Sequence, residues 1–550
     1  MKATNMKKVI SFTQMLLTPM VVVALLLAAT ASYAAAPGIT GPNFNLTAQS
    51  ATLTQPDGEM IYSWGYGCNG APAGFAPSTI VGATCSNMQV PGPTLIVTAG
   101  QAVTVRLVNN LPTAAGNTSI LFPGFNVTAT GGVAGLLTRE APPVSSCPSV
   151  LSCTVTYTFT ASSPGTHAYY SGTQGDLQIE MGLYGAIIVL PSSTPTGCTA
   201  IGAIPAHYVA PGNGAEADFR LAPAAYNNPR SCYDREYLFQ FSEMDPRIHT
   251  QAQIQTAAKG NCTAGTPSCS LQVATEPYHP AYFMINGRSM PDDMDPNYAP
   301  EYPHQPYNGN PHMHPGELVL LRIIGQGRWQ HPFHEHGNHV RILGRDGNLI
   351  LSSTNSGEVN LAGPLLFTTT TTPGVTMDGI FYWTAKGLNW DAYGHNPNSA
   401  DPLAKLTCDG LLNGYHSVIT DLNYYEWCQD HNKPVQAAPF GDVAGGGPVT
   451  LPDPNLFTNG PWFGGSPYLG PNATTRATGC APGLPAGSCG ATGTTPPSGT
   501  IANSPSSEAG FAFMWHSHNE REITTNNIFP GGMLMMMLVD SREFQIDESN

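Results

Sequence analysis

Leu95-Ile96-Val97-Thr98-Ala99-Gly100-Gln101-Ala102-Val103-Thr104-Val105-Arg106-Leu107 is a short β-rich run, a Gly turn and a second run in which Val103, Val105 and Leu107 recur at period two. Residues alternating this way line one face of a strand, so the stretch reads as a half-buried β-hairpin. A second region repeats the pattern, with Pro315-Gly316-Glu317 as a turn before Leu318-Val319-Leu320-Leu321-Arg322-Ile323-Ile324, apolar enough for a strand buried on both faces. Between such runs the chain is punctuated by 59 Gly and 50 Pro in 550 residues, the texture of an all-β sandwich with long loops.

Working outward, a first domain is expected over residues 37–192 and a second over 234–550. Residues 193–233, rich in Pro, Gly, Ala and Asn, read as a linker or surface excursion. The second domain is interrupted at about 396–508 by a long disulfide-rich insertion that ends in a Ser/Thr/Gly/Pro tract from Ala491 to Ser507. A third small domain is the competing reading of that insertion.

Residues 1–34 have the form of an export signal, with an uncleaved anchor helix as the alternative. Lys2, Lys7 and Lys8 precede an apolar stretch from Met15 to Ala29, and small residues lead to Ala34, where cleavage is expected. No second long apolar run follows, so the protein is expected to be exported, at a periplasmic, cell-surface or extracellular location, with no membrane span after signal removal. The formal net charge is −15, and losing the signal would remove three lysines and no acid. Such a surface repels phosphate backbones and argues against nucleic acid as a partner. The 12 cysteines fall into sequence-local couples, 68 with 85, 147 with 153, 198 with 232, 262 with 269, 408 with 428 and 480 with 489, with no CxxC. In an exported chain this pattern favours disulfides over thiolate metal sites.

Chemistry is concentrated in two segments: His331-Pro332-Phe333-His334-Glu335-His336-Gly337-Asn338-His339 and Trp515-His516-Ser517-His518. On a strand, His-x-His places both imidazoles on one face, so two such strands can present four nitrogens to one point. Four imidazoles buried without a shared ligand would leave several polar nitrogens without partners, so a metal is the better reading. Imidazole suits copper, zinc, iron or nickel. His304, His312 and His314 near Asp292, Asp293 and Asp295 read as a solvated acidic loop, with an extra cation as the alternative. Met533 to Met537 read as core packing in a terminal strand.

The run Pro91-Gly92-Pro93-Thr94 with Val103 to Asn110, together with Gly182-Leu183-Tyr184-Gly185-Ala186-Ile187-Ile188-Val189, resembles the first domain of multicopper oxidases. His331 to Gly337 resembles that family's HPxHLHG motif, and Trp515 to Met533 its HCHxxxH segment ending in methionine. The resemblance implies tandem cupredoxin-like Greek-key β-sandwiches of the two-domain, laccase-like type. It implies His334 facing the single copper of a three-copper cluster, and His336, His516 and His518 facing the coupled pair. His331 would match one blue-copper histidine.

The departures are as informative. Leu121-Phe122-Pro123-Gly124 and Tyr170-Ser171-Gly172 stand where the first domain should supply HxHG and HSH. Ser517 replaces the cysteine, and Glu522 the later blue-copper histidine, with Met533 left for the axial position. A hydroxyl that stays protonated cannot supply the thiolate of a blue copper. The copper sites are therefore degenerate. Four imidazoles permit one or two copper ions rather than a full set, and Glu335 or Glu522 are candidate outer acids, Glu335 pointing away by alternation. His167, Tyr169 and Tyr170 would cap the site or fill the volume of the missing ligands. Two functions are compatible: a copper oxidoreductase acting on a small-molecule or metal-ion substrate, or a non-catalytic cupredoxin scaffold for surface assembly or metal sequestration. A homo-oligomer, with a neighbouring subunit completing the ligands through loop histidines such as His395, His416 or His431, is a further expectation.

Overall fold

The computed structural model describes residues 35–80, 82–202, 209–210, 214–260, 262–353, 360–387, 414–417, 424–429, 463–469, 509–540, 542 and 546. Residues 1–34, read as an export signal, the Ser/Thr/Gly/Pro tract and most of the insertion lie outside these residues. Among those described, the chain is all-β, built as two cupredoxin-like sandwiches of two sheets each. In the first, strands Gly165–Tyr170, Tyr184–Leu190, Leu95–Thr98, Gly38–Thr40 and Phe75–Ala76 form one sheet. The facing sheet runs Met60–Cys68, Asn43–Thr54, Ala102–Asn109, Val155–Thr160 and Thr128–Gly131.

The opening stretch is not a hairpin. Leu95–Thr98 pairs in parallel with Tyr184–Leu190 and Gly38–Thr40, while Ala102–Asn109 belongs to the opposite sheet, beside Asn43–Thr54 and Val155–Thr160. The turn bridges the two layers: Gly100, at φ +90°, donates to Ala161 O, and Ala99 donates to Leu190 O. Leu95 and Val97 consequently meet Val103, Val105 and Leu107 across the core instead of lying beside them. Period-two patterning fixes which face is buried and leaves open which strand pairs with which.

In the second sandwich, Leu318–Gly325 is a central strand between Arg235–Met244 and Thr376–Tyr382, buried along nearly its whole length as the apolar run requires. The opposite sheet orders His312–Met313, Leu534–Asp540, Ala509–Ser517, His331–Glu335 and Thr368–Thr371, with Gly465–Leu469 of the insertion added to Ala509–Ser517. Met533, Met535 and Met537 are core residues.

Two expectations about the connecting chain change. In the stretch read as a linker, Glu216, Phe219, Arg220 and Tyr226 are buried, and Tyr226 donates to Asp378 Oδ2 (2.6 Å) at the seam where Thr166 of the first sandwich also bonds Asp378. His312 and His314 are not in a solvated loop. His312 Nδ1 meets Asp540 Oδ2 at 2.5 Å and His314 Nε2 meets Glu216 Oε1 at 2.7 Å, carboxylates far along the chain supplying charge partners that local sequence does not show. Four of the predicted cysteine couples are disulfides: 68–85, 147–153, 198–232 and 262–269. Cys428 is also disulfide-bonded, and its expected partner, like Cys480 and Cys489, lies outside the described residues.

Candidate metal centre

Strands His331–Glu335 and Ala509–Ser517 are antiparallel neighbours in a register that sets His334 directly opposite His516. Directly opposed residues share a face, and His336 and His518 continue it at period two. The four rings gather accordingly, with centroids 4.9 Å apart for His334–His336 and His334–His518, 5.3 Å for His336–His516 and 5.5 Å for His334–His516. One nitrogen each from His334, His336 and His516 lies within 4.8 Å of the others. His518 is more exposed, its ring 5.7 Å from that of His516, and leaves one side open. Phe367 and Phe463 wall another side.

Hydrogen bonds at the far side of each ring decide what faces inward. His336 Nδ1 lies 3.1 Å from Gly464 O, His516 Nδ1 2.7 Å from Ser517 O, and His334 Nδ1 2.7 Å from Thr368 Oγ1. A carbonyl only accepts, so His336 and His516 carry their protons on Nδ1 and turn bare Nε2 lone pairs toward each other at 3.3 Å. Burial, and after it the neighbouring imidazoles, lowers the pKa of His334 to about 4, and burial lowers His336 and His516 as well. The rings are thus neutral near pH 7, the form that ligates metal.

His331 does not join them. Its Nδ1 lies 2.9 Å from Glu522 Oε2 and its Nε2 2.9 Å from Glu243 Oε2, all three residues being buried. Ser517 Oγ donates to the same Glu522 oxygen at 2.5 Å, so a carboxylate oxygen sits between the histidine and the serine that the family resemblance set at copper-ligand positions. Burial opposes a charge on His331, and against it the hydrogen bonds that His331 donates to Glu243 and Glu522 raise its pKa to about 9. An imidazolium clamped by two carboxylates occupies this position. Glu335 points away from the cluster as alternation requires; it is buried, accepts from Thr369 Oγ1 at 3.0 Å, and burial raises its pKa.

Leu121 and Tyr170, which the resemblance sets at the missing first-domain ligand positions, pair with each other, so the two positions do converge. They bring no imidazole: Phe122 packs among Tyr157, Phe159 and Tyr169. Tyr169 donates to Pro93 O, His167 bonds Ser163 O and lies 4.6 Å from Phe125, and Tyr170 packs near Gly374; these residues fill volume. His395 and His431 lie outside the described residues. Gly464 and Phe463, from within the insertion, were not foreseen, because its loop-rich sequence gives no period by which to place them.

Stability should report both groups. His331 has a folded-state pKa above the ordinary 6.5, so its contribution is whole below about pH 6.5 and is lost as pH rises through about 9. The depressed histidines act oppositely, their contribution being present above about pH 6.5 and lost as pH falls toward 4. Urea midpoints of metal-free protein should therefore fall on both sides of neutrality. Rising stability from pH 7 to 9 would contradict the clamp.

Two multicopper oxidase families match the sequence, one over residues 75–194 and the other over residues 274–382. No curated protein matches it. Among solved structures the chain is similar to the multicopper oxidase mgLAC, at 14% identity over 92% of this chain and 88% of that one, with a TM-score of 0.42. It is similar also to a blue copper oxidase from Nitrosomonas europaea (14% identity, 90% and 85% covered, TM-score 0.41) and to a copper nitrite reductase from the same organism (19%, 62% and 84%, 0.35). At those scores the structural likenesses carry no argument about function.

Proposed function

The chain belongs to the multicopper oxidase family, and from that premise we propose that it is an exported copper oxidoreductase with one His-only copper centre and no blue copper. His334, His336 and His516 hold the ion, with His518 beside the open side as a fourth donor. The observation that carries this reading is the pair of bare Nε2 atoms of His336 and His516 facing each other at 3.3 Å. Two lone pairs so placed repel unless a cation lies near them. Nitrogen ligands about 2 Å from a metal are separated by distances of this order, so small ring movements suffice for coordination.

Bound there, copper would supply one-electron redox chemistry and an open position for a small-molecule or metal-ion substrate. The chain's own residues orient the ligands: Thr368, Gly464 and the Ser517 carbonyl hold the Nδ1 side of each ring, as outer partners do in metal sites generally. The open side at His518 admits a small reactant directly, as a centre without a neighbouring electron conductor requires. Export is supported by the leader-like composition of residues 1–34, and among the described residues no helix is long and apolar enough to cross a membrane.

Copper added to metal-free protein should bind without an intense blue band, since Ser517 offers a hydroxyl in place of a thiolate. Oxidation of phenols, ferrous or manganous ions by the loaded protein with dioxygen as the electron acceptor, lost in His516→Ala, tests catalysis. Copper-loaded protein inert toward all three would leave metal sequestration as the function, and a strong blue band would contradict the proposed ligand set.

A further inference from the structure

One copper ligand is oriented by a part of the chain that neither family match reaches. The second match ends at residue 382, and the strand carrying His516 begins at Ala509. Between them, Gly337 N–H donates to Phe463 O at 2.8 Å, and Gly465–Leu469 pairs with Ala509–Ser517, Gly465 opposite Phe513. Gly464 is held between these two anchors and turns its carbonyl to His336 Nδ1. Its φ of +66° lies in the left-handed region, and a Cβ on it would stand 2.4 Å from His336 Nδ1. Glycine is required here twice over, by backbone conformation and by the approach of the ring.

Resting on the copper reading above, we propose that Gly464 is a positioning residue for the metal centre, its carbonyl holding His336 in the Nδ1–H tautomer so that Nε2 stays bare toward the ion. His336 needs such a partner more than its neighbours do. It follows the end of its strand, just before Gly337 at φ +103°, and is less buried than His334 or His516. An imidazole free of such a partner divides its proton between both nitrogens and turns about its side-chain bonds, and copper must then displace a proton and fix a rotamer as it binds. The insertion therefore completes a ligand sphere that the two sandwiches alone leave loose.

Two measurements test this. Imidazole nitrogen NMR of the metal-free wild-type protein should show His336 protonated at Nδ1. Competition titrations with Cu²⁺ should show Gly464→Ala binding about 10–100-fold more weakly than wild type, the range typical for loss of an outer partner, with the His336 tautomer shifted toward Nε2–H and the His334 and His516 signals retained. A wild-type His336 protonated at Nε2, or a variant that binds copper as tightly as wild type, overturns the proposal and leaves the copper reading standing. Wild-type protein that takes up no copper overturns both. If Gly464→Ala does not fold, the wild-type tautomer decides alone.

Discussion

His516→Ala should lower copper affinity by at least about 100-fold, measured by competition against a chelator of known affinity. Structural zinc sites with four ligands yield roughly 10–16 kcal/mol, or about 3 kcal/mol per ligand, which corresponds to a factor of about 100. His516 merits first place because its ring is opposed to His334 across the strand pair and its Nε2 is the nearest partner of His336 Nε2. His334→Ala should follow closely. His518→Ala should cost less, its ring being exposed and outside the tight group of three nitrogens. Equal losses for His331→Ala and His516→Ala would mean that the clamped histidine is a ligand after all.

The second large effect concerns stability alone. His331→Leu should destabilise the fold by about 3–5 kcal/mol, the cost of removing one member of a buried charge network. Glu243 and Glu522 would remain buried around the vacated ring position, each deprived of its positive partner. Given that domains are stable by only about 5–15 kcal/mol, urea unfolding should show the loss plainly. Adding Glu522→Gln to His331→Leu should recover part of it, because one uncompensated charge disappears. A double variant no more stable than the single one would show that Glu522 is not the strained partner.

The same residues show what could be read in advance. The histidine cluster was legible because its imidazoles recur two residues apart at the ends of strands, where period two sets a common face. The all-β class was legible for the same reason in Val103, Val105 and Leu107. Pairing was not, since Leu95–Thr98 and Ala102–Asn109 satisfy a hairpin pattern and a sheet-crossing turn equally well until Ala161 and Leu190 supply the turn's acceptors. Sequence likeness brought His331 and Glu522 to one place but could not show a carboxylate oxygen lodged between His331 and Ser517, nor that Glu243, 88 residues before His331, closes the clamp. Gly464 was illegible because one glycine among the many of the insertion does not show, in sequence, which ring its carbonyl meets.

X-ray absorption on copper-loaded protein, with elemental analysis of the same sample, tests the central claim most directly. One copper per chain, surrounded by imidazole nitrogen and oxygen with no sulfur at bonding distance, is the predicted result. Three or four coppers per chain, a short copper–sulfur distance, or no retained copper would contradict it.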